Sequence, residues 1–600
     1  MKWYYKILIF RNKFITPYVQ ILLLFSKVAS CFMSLVFLLT AVYKYGFQLT
    51  AESLQTIDYI YHWVWITFLG ANTIQLLINF RELKRNYRKI SWLFNLLLYL
   101  TLLPVFFDHH IFAFFSHTGY LITLLAILSV LNLSDGFAAL LGKKTNPSLI
   151  FSFSFLILIL VGTCLLLLPK STYAGISFID ALFISTSSVC ITGLSTVDIP
   201  AVFTPTGQFV ILLLIQIGGL GVMTITSFFA LFFMGNTSIH SQMAVKDMVS
   251  SQSLSSLLST LLYILTFTLI IEVVGAVWLY MDIHGTLGMT ISEELFFVAF
   301  HAVSAFCNAG FSTLSGNLGN ELLLNNHNGF YLCISILIIL GGIGYPILEN
   351  LLQTIVYEIK RWYAIILKGV HIPRKVHLYN LNTRIAVGMT IFLVITGSVI
   401  LLCVEWNHAF AQMPIVDKFI QALFNAVCPR TAGFNSVSLT TMGFHTLLIY
   451  MLFMVIGGGT QSTAGGVKVN VFAVVVLNLR AVMKNDKKVN IFNRELSTYS
   501  IRRSNATLIL YLLVVCISFF LITLFEPELP VFSLLFECIS ALSTVGASLD
   551  LTPLLSVYSK LLLVVLMFVG RVGLLTLVSG LIGEPKVRNY QYPSDYIIIN

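Results

Sequence analysis

The sequence predicts an all-α membrane protein made of four tandem units around a pseudo-fourfold axis, preceded by about four extra transmembrane helices. The first observation is composition: the 600-residue chain is 58% hydrophobic and 10% charged, whereas soluble domains carry roughly 25% charged residues. The second is that long apolar segments alternate with short polar connections. The third is a glycine-centred segment that occurs four times at a nearly constant spacing.

Twelve apolar segments are long enough to cross the ~30 Å hydrocarbon core as helices. They lie near residues 18–43, 59–80, 91–107, 118–141, 149–169, 207–234, 256–281, 330–358, 385–405, 444–479, 505–525 and 555–582. The first four form an N-terminal extension, residues 1–145. The others form units at 146–240, 255–358, 385–483 and 505–582, followed by a tail at 583–600.

Each unit also contains a shorter apolar segment, near residues 179–191, 293–307, 415–428 and 531–543. About a dozen residues are too few to span a bilayer, so these segments predict re-entrant helices. A glycine segment, here called a tip, follows each of them. The four tips are Ile191-Thr192-Gly193, Asn308-Ala309-Gly310, Thr431-Ala432-Gly433 and Thr544-Val545-Gly546.

The tips predict a pseudo-fourfold pore. Glycine can turn its carbonyl freely because positive φ costs it little, and rings of backbone carbonyls can replace the water around an ion. The C-terminal dipoles of the re-entrant helices would favour a cation at the centre. For any single tip the alternative is an ordinary loop turn, but recurrence in four units favours a pore.

A second glycine-rich position follows each central glycine by 25, 31, 24 and 24 residues, inside the next long apolar segment. These stretches are Gly218–Gly221, Gly341–Gly344, Gly457–Thr460 and Gly570–Gly573. The repeating unit is therefore helix, re-entrant helix, tip and helix, used four times in the same orientation.

Charge predicts the orientation. Basic residues cluster near 81–89, 143–144, 360–384 and 480–503. With twelve crossings, the positive-inside rule places all four clusters and both termini in the cytoplasm, and the tips open from outside. This predicts a multi-pass protein of the inner (plasma) membrane whose net charge of +10 comes from a cytoplasmic belt facing anionic lipid and soluble partners.

Several other classes are disfavoured. The basic residues are scattered beside membrane segments, which argues against nucleic-acid binding. No Walker loop, dinucleotide fingerprint or catalytic triad spacing is present, so we expect no enzyme. The nine cysteines show no paired metal-ligand spacing and are expected to be core residues. No small-residue cleavage site follows the basic start, so the first helix is expected to be retained.

Residues from about 146 to 600 resemble the TrkH/KtrB family of potassium-uptake channels and transporters, which joins four such units covalently. The most specific elements are Pro429–Asn435, the loop Gly457–Gly466 and Gly570–Gly573. By resemblance, the twelve tip residues form a selectivity filter that binds potassium. Four central glycines are the pattern that this family associates with potassium rather than sodium. Family members commonly have fewer helices before the first unit, so the extension is a departure.

The resemblance also implies function and partners. It implies gated potassium uptake driven by the electrochemical gradient, with K⁺ as the transported ion, Na⁺ as a candidate modulator and no covalent cofactor. The partners implied are a second copy of the chain in a homodimer and a cytoplasmic nucleotide-binding regulatory subunit of the TrkA/KtrA type, besides membrane lipid.

Two further features suggest a gate. The loop cannot be a stable helix because glycine costs ~1 kcal/mol relative to alanine; it comprises Gly457, Gly458, Gly459, Thr460, Gln461, Ser462, Thr463, Ala464, Gly465 and Gly466. The family places a mobile intramembrane gate here; the alternative is a passive kink.

Arg571 is the second feature. A central arginine costs ~2.5–3.5 kcal/mol on insertion scales, and its repeat partners Gly219, Gly342 and Gly458 are uncharged. We expect it either to form a charge barrier below the tips or to donate to carbonyls freed by the third unit, and both readings can hold.

Three other residues carry weaker expectations. Lys468 is expected to extend toward the cytoplasmic face, His301 to be a core residue, and Arg430 to brace the third tip. At the level of function, the alternative to a pore is a sodium- or proton-coupled symporter, which predicts inverted repeats, whereas these units run parallel. A membrane enzyme lacks clustered catalytic groups.

Overall fold

The computed structural model describes residues 16–79, 89–106, 117–140, 147–234, 257–324, 327–369, 379–486, 488–575 and 577–578. The described chain divides into two compact units. The first unit consists of the described residues within three ranges, namely Met1–Thr145, Leu168–Ser171 and Phe232–Thr237. The second unit consists of the other described residues. The predicted basic segments at 81–88 and 143–144 and the predicted tail at 583–600 lie outside the described residues.

The first compact unit is helical. Its helices are α1 (Thr16–Gly46), α2 (Ala51–Asn79), α3 (Lys89–Leu100), α4 (Leu103–Phe106) and α5 (Thr118–Leu140). Phe37, Phe68, Leu98 and Leu125 are buried in one cluster that joins α1, α2, α3 and α5. The predicted segment 91–107 is interrupted after Leu100, since Pro104 lacks an amide N–H and cannot donate to the carbonyl oxygen of Leu100 as a continuous helix would require.

The second compact unit contains the four repeats. Their first helices are α6 (Pro147–Leu166), α10 (Leu257–Ile283), α15 (Leu381–Glu405) and α19 (Thr498–Phe525). Their short helices are α7 (Phe178–Val189), α11 (Ile291–Phe306), α16 (Ile415–Val427) and α20 (Val531–Leu542). Their second helices are α9 (Pro205–Met234), α13 with α14 (Asn328–Ile343, Tyr345–Lys368), α17 with α18 (Phe444–Val455, Val469–Met483) and α21 (Val557–Val572).

Short elements connect these helices. They are α8 (Ile199–Val202), α12 (Glu321–Leu324), 3₁₀ turns at Leu439–Thr441 and Thr552–Leu554, and a hairpin of β1 (Asn490–Ile491) and β2 (Arg494–Glu495). The side of this unit at which the four short helices begin is called the mouth below.

Helix length and composition agree with a membrane protein. Four described helices are individually long and apolar enough to cross a membrane, namely Ile21–Gly46, Leu262–Ile283, Leu381–Glu405 and Thr498–Phe525. The bent pair Asn328–Ile343 and Tyr345–Leu367 is a fifth such segment. Exposed apolar side chains cover the outside of α10, among them Ile270, Val273 and Val277, as a lipid-facing surface requires. The count of twelve crossings stays a prediction.

In three repeats, a carboxylate near the end of the first helix caps the start of the second helix. The N···O distances are 3.1 Å from Phe330 to Asp282, 3.0 Å from Gly443 to Glu405 and 2.7 Å from Ser556 to Glu526. Amide groups at a helix N-terminus have no partner within the helix and favour a negative charge. These carboxylates therefore fasten the two long helices of a repeat to each other.

Two spans predicted as single helices are broken, so those predictions were wrong. The predicted span 330–358 bends by 103° between α13 and α14, where Gly344 has φ of 96°. The predicted span 555–582 contains α21, which ends at Val572, and Gly573 follows with φ of 91°. Glycine at positive φ is the common way to end a helix. The break predicted in the third repeat is confirmed, since α17 ends at Val455 and α18 begins at Val469.

Candidate ion site

All four tips share one backbone conformation. The first residue of each tip is left-handed, with φ of 56° at Ile191, 61° at Asn308, 70° at Thr431 and 51° at Thr544. The central glycines have φ of 92° at Gly193, 72° at Gly310, 70° at Gly433 and 88° at Gly546. Positive φ is a true outlier for β-branched residues, and such strain clusters at functional sites.

Hydrogen bonds to the short helices hold this conformation. In three repeats the amide of the second tip residue donates to a serine carbonyl in the last turn of the short helix. The distances are 2.8 Å from Thr192 to Ser187, 2.7 Å from Ala309 to Ser304 and 2.9 Å from Val545 to Ser540. In the third repeat Ala432 donates to Cys428 instead, at 3.0 Å. Each tip is thus tied directly to the C-terminus of its own short helix.

The tips meet in a closed ring. A methyl group on Gly193 would collide with the carbonyl oxygen of Ala309 in the next tip. The same relation joins Gly310 to Ala432, Gly433 to Val545 and Gly546 to Thr192. The contacts run from first to second to third to fourth repeat and back to the first. Glycine is required at these four positions for two reasons: the backbone has positive φ, and there is no room for a side chain.

A further layer of hydrogen bonds lies behind the ring. Buried polar residues of three short helices bond to a serine that follows the tip, eleven residues later in each case. The pairs are His301 Nε2 with Ser312 Oγ (2.9 Å), Asn425 Nδ2 with Ser436 Oγ (2.8 Å) and Ser548 Oγ with Glu537. His301 also bonds through Nδ1 to the carbonyl oxygen of Phe297, at 2.8 Å. It is a satisfied core residue, as expected.

The sequence reasoning missed this layer as a set. Its signal was a histidine, asparagine or glutamate in the second half of the short helix, eleven positions before a serine. Arg430 was expected to brace the third tip, and its hydrogen bond agrees with this: the side chain is buried, and its Nη2 donates to Thr390 Oγ1 in α15 at 3.3 Å. That bond fastens the third tip's turn to the first helix of the same repeat.

The loop Gly457–Gly466 is folded against the inner side of the ring. Its ends are closed, because Gly457 donates to the carbonyl oxygen of Val467 and Val467 to that of Val455, both at 3.0 Å. The amide of Gly459 donates to the carbonyl oxygen of Gly342 in the second repeat at 2.7 Å. A methyl group on Gly465 would collide with the side chain of the tip residue Thr544. The loop therefore touches the second repeat and the fourth tip.

Arg571 links this loop to two other repeats. Its Nη1 donates to the carbonyl oxygen of Thr463 in the loop, and its Nη2 donates to that of Gly218 in the first repeat at 2.8 Å. The side chain is 6% exposed, and it forms no ion pair with a carboxylate within the part of the chain that the structure describes. The structure thus places a buried positive charge beside the loop, held only by neutral groups.

Lys468 was expected to extend toward the cytoplasmic face, and that prediction was wrong. Its Nζ instead donates to the carbonyl oxygen of Ala464 inside the loop. The reason is local: α18 begins at Val469, so Lys468 immediately precedes a helix and its side chain reaches back along the loop. The loop therefore has basic contacts at two carbonyls, from Arg571 and from Lys468.

Residues 142–585 match the family model TrkH, described as a cation transport protein. The chain is 32% identical over 467 residues to the potassium/sodium uptake protein NtpJ of Enterococcus hirae, covering 76% of this chain and 98% of that protein. It is 32% identical over 452 residues to the Ktr system potassium uptake protein B of Bacillus subtilis, covering 75% and 96%.

A solved structure has the same fold. The potassium transporter TrkH from Vibrio parahaemolyticus superposes with a TM-score of 0.57 at 17% identity, covering 81% of this chain and 95% of that one. The family match covers more than half of the chain, and the helical repeats agree with it. The chain therefore belongs to the TrkH family of cation transport proteins and is a multi-pass membrane transporter rather than an enzyme.

Proposed function

We propose that this chain takes up potassium through a pore that runs through the ring of four tips. The observation that carries the proposal is the closed ring itself. The carbonyl oxygens of Thr192, Ala309, Ala432 and Val545 each lie against the central glycine of the neighbouring tip. Backbone carbonyls arranged in a ring can replace the hydration shell of a cation. The names of the relatives, which are potassium or potassium/sodium uptake proteins, support this ion class.

The twelve tip residues then act as the selectivity filter. Glycine stands at all four central positions, so no side chain narrows the ring. Potassium rather than sodium is the proposed main substrate, with Na⁺ as a modulator. The parallel order of the repeats supports a channel-like pore, since a symporter with a central substrate site is expected to have inverted repeats.

The membrane potential is the proposed driving force. An inside-negative potential favours cation entry by ~2.3 kcal/mol per charge per 100 mV, so no chemical fuel is needed. This direction requires that the mouth opens outside and that both termini are cytoplasmic in the inner (plasma) membrane. The described basic residues Lys360, Arg361, Arg480 and Lys484 lie at the end of the repeats away from the mouth, which supports this orientation.

The loop Gly457–Gly466 and Arg571 form the proposed gate. The loop contacts the inner tip residue Thr544, so an ion leaving the ring meets it next. A second unit charge about 4 Å away costs a cation about 4 kcal/mol at an effective dielectric constant of 20. Arg571 would therefore act in two ways, by repelling the ion and by holding the loop in place through Thr463.

The proposed assembly is a homodimer with one pore per protomer, regulated by a cytoplasmic nucleotide-binding subunit of the TrkA/KtrA type. The basic cytoplasmic side supports docking of a soluble partner, because Arg480, Lys484 and Lys488 surround one polar pocket of about 440 Å³. One relative's name, protein B of a Ktr system, supports a multi-component assembly. Copurification from native membranes tests this assembly: a monomer without a soluble subunit would contradict it.

Growth and flux test the transport proposal together. The full chain should restore growth of a transport-deficient cell in potassium-limited medium, and the purified chain in liposomes should carry K⁺ faster than Na⁺. Empty vesicles set the background, and a control variant, Gly175→Ser, whose added Cβ would have no atom within 4 Å, sets the effect of expression. Folded protein that carries no K⁺ in liposomes, or carries Na⁺ equally well, would contradict the proposal.

A further inference from the structure

Asn317 lies in the connection that follows the second tip and reaches two tips at once. Its Nδ2 lies 3.4 Å from the carbonyl oxygen of Gly310 and 3.4 Å from that of Gly433. A single side-chain amide thus contacts the central glycines of two neighbouring repeats. No side chain in the described residues donates to the carbonyl of Gly193 or Gly546. Among the four central glycines, those with a side-chain donor on their carbonyl in the described part of the chain are therefore Gly310 and Gly433.

The neighbours of Asn317 fix its position from both repeats. The amide of Leu318 donates to the carbonyl oxygen of Asn435, which follows the third tip, at 3.2 Å. Tyr331, fully buried in α13, donates its hydroxyl to the carbonyl oxygen of Leu318 at 2.6 Å. The backbone on which Asn317 stands is thus anchored to both the second and the third repeat, so its amide can hold two carbonyls without moving itself.

Backbone geometry gives a simpler reason for an asparagine here. Asn317 has φ of 60°, and asparagine tolerates the left-handed region better than most residues. That reason explains the residue type but not the direction of the side chain. The Oδ1 atom of Asn317 is buried without a hydrogen-bond partner, which carries a desolvation cost. An asparagine that served only the turn would avoid this cost by exposing its side-chain amide to water. The turn therefore does not explain why the amide contacts the two carbonyls.

We propose that Asn317 is a positioning residue of the selectivity filter, whose amide holds the carbonyls of Gly310 and Gly433 at the spacing that favours K⁺. The inference rests on the proposed function of the ring. Discrimination against the smaller Na⁺ requires that the carbonyls do not close in on it. Two donated hydrogen bonds oppose that inward movement on one half of the ring, and Asn317 supplies both.

Two substitutions separate the amide from the backbone. Asn317→Gly keeps the left-handed turn without strain and removes the amide. Asn317→Asp keeps the shape of the side chain but replaces the donor by an acceptor, which repels the carbonyls. The matched control is Ser315→Ala in the same connection: Ser315 is exposed and bonds to Asp198 at 2.6 Å, away from the tips. The readout is the K⁺/Na⁺ permeability ratio from reversal potentials of liposome-reconstituted protein.

The expected results differ among the variants. Asn317→Gly should lower the K⁺/Na⁺ ratio roughly threefold to tenfold, as expected for one or two ordinary hydrogen bonds. Asn317→Asp should lower it at least as far and should also raise cation flux at low concentration, because the added charge concentrates cations at the mouth. Ser315→Ala should keep the ratio of the unchanged protein.

Other outcomes would overturn the role of Asn317, and they can be told apart from a failure of the proposed potassium pore. A normal ratio in Asn317→Gly would make Asn317 a turn residue only. An equal loss in Ser315→Ala would show that the whole connection, and not the amide, matters. In both cases the unchanged protein still selects K⁺, so only the role of Asn317 fails. If the unchanged protein carries no K⁺ or does not select it, the proposed function fails first.

Discussion

Replacing Gly193 by serine should lower potassium selectivity without preventing folding. Gly193 has φ of 92°, and a residue with a Cβ costs roughly 1–2 kcal/mol in the left-handed region. The added Cβ would also collide with the carbonyl oxygen of Ala309 and lie 3.4 Å from the Cα of Gly310. Both neighbours are backbone atoms of the next tip, so they cannot rotate away as a side chain could. The ring itself must widen or tilt.

Gly175 offers a control with the same strain and no collision. Its φ is 85°, and a Cβ there would have no atom within 4 Å. Gly175→Ser therefore carries a similar conformational cost but leaves the ring intact. If displacement of one carbonyl in four removes about 1–2 kcal/mol of the preference for K⁺, the permeability ratio falls by a factor of roughly 5–30 in Gly193→Ser. It should stay unchanged in Gly175→Ser.

The assay is the K⁺/Na⁺ permeability ratio of both variants in liposomes, together with their unfolding temperatures in detergent. We expect both variants to fold, with the lower unfolding temperature in Gly193→Ser because of the added collision, and different ratios. Equal ratios in the two variants, with folded protein in each case, would refute the reasoning, because the first tip would then not belong to the ion path. A fall in both ratios would show that strain alone, and not the collision, alters transport.

Three further predictions concern the gate, pH and capping. Arg571→Ala and deletion of Thr460–Thr463 should each raise K⁺ flux through liposomes. Their combination should raise it by less than the sum of the two effects, because both act on one barrier. Wild-type flux in both single variants would mean that Arg571 has only a structural role. Glu526 has a lowered pKa, since burial raises it but hydrogen bonds from Ser556 and Ser559 outweigh that effect. The stabilisation of the fold by ionised Glu526 should be complete above about pH 5 and lost as pH falls through the lowered pKa. Glu526→Gln should therefore reduce the fall of the unfolding temperature in acid. An unchanged fall would contradict this. Glu405 is fully buried and accepts hydrogen bonds from Gly443 and Thr446, so Glu405→Ala should lower the free energy of unfolding by about 1–3 kcal/mol. Glu528→Ala, at an exposed position, is the control. An equal effect in both variants would argue against capping by Glu405.

The repeat and the tips could be predicted because they depend on local chemistry. A glycine at each tip follows from the need for positive φ, and a run such as Gly457–Gly466 disfavours helix because each glycine costs ~1 kcal/mol relative to alanine. Apolar length alone separated the short helices from the long ones. These features needed no knowledge of which repeats are neighbours in space.

The breaks at Gly344 and Gly573 were missed for a different reason. Both glycines lie in continuous apolar runs, where hydropathy gives no signal of a bend. A methyl group on Gly344 would lie 2.6 Å from the carbonyl oxygen of Thr460, so the bend is where the third repeat's loop meets the second repeat. Such a contact joins residues more than a hundred positions apart. The local signal that was available at Gly344 is Pro346, which stands in the first turn of α14 and disfavours helix in the residue before it.

The contacts of several polar side chains could not be predicted from the sequence either. Lys468 has a helix ahead of it and a loop behind it, and the sequence does not say which of them its amine contacts. Asn317 stands in an unremarkable polar connection, and its role depends on the third tip lying beside the second. Arg571 was singled out by the cost of its charge in an apolar span, but its two carbonyl partners are set by tertiary packing.

The reversal potential of the purified chain shows directly whether it is a potassium-selective pore. In a planar bilayer with unequal K⁺ on the two sides, the reversal potential should follow the K⁺ equilibrium potential, about 59 mV for each tenfold gradient. It should not move when a proton gradient, or a sodium gradient at constant K⁺, is imposed. A reversal potential that shifts with the proton or sodium gradient would contradict a potassium-selective pore and would indicate coupled transport instead.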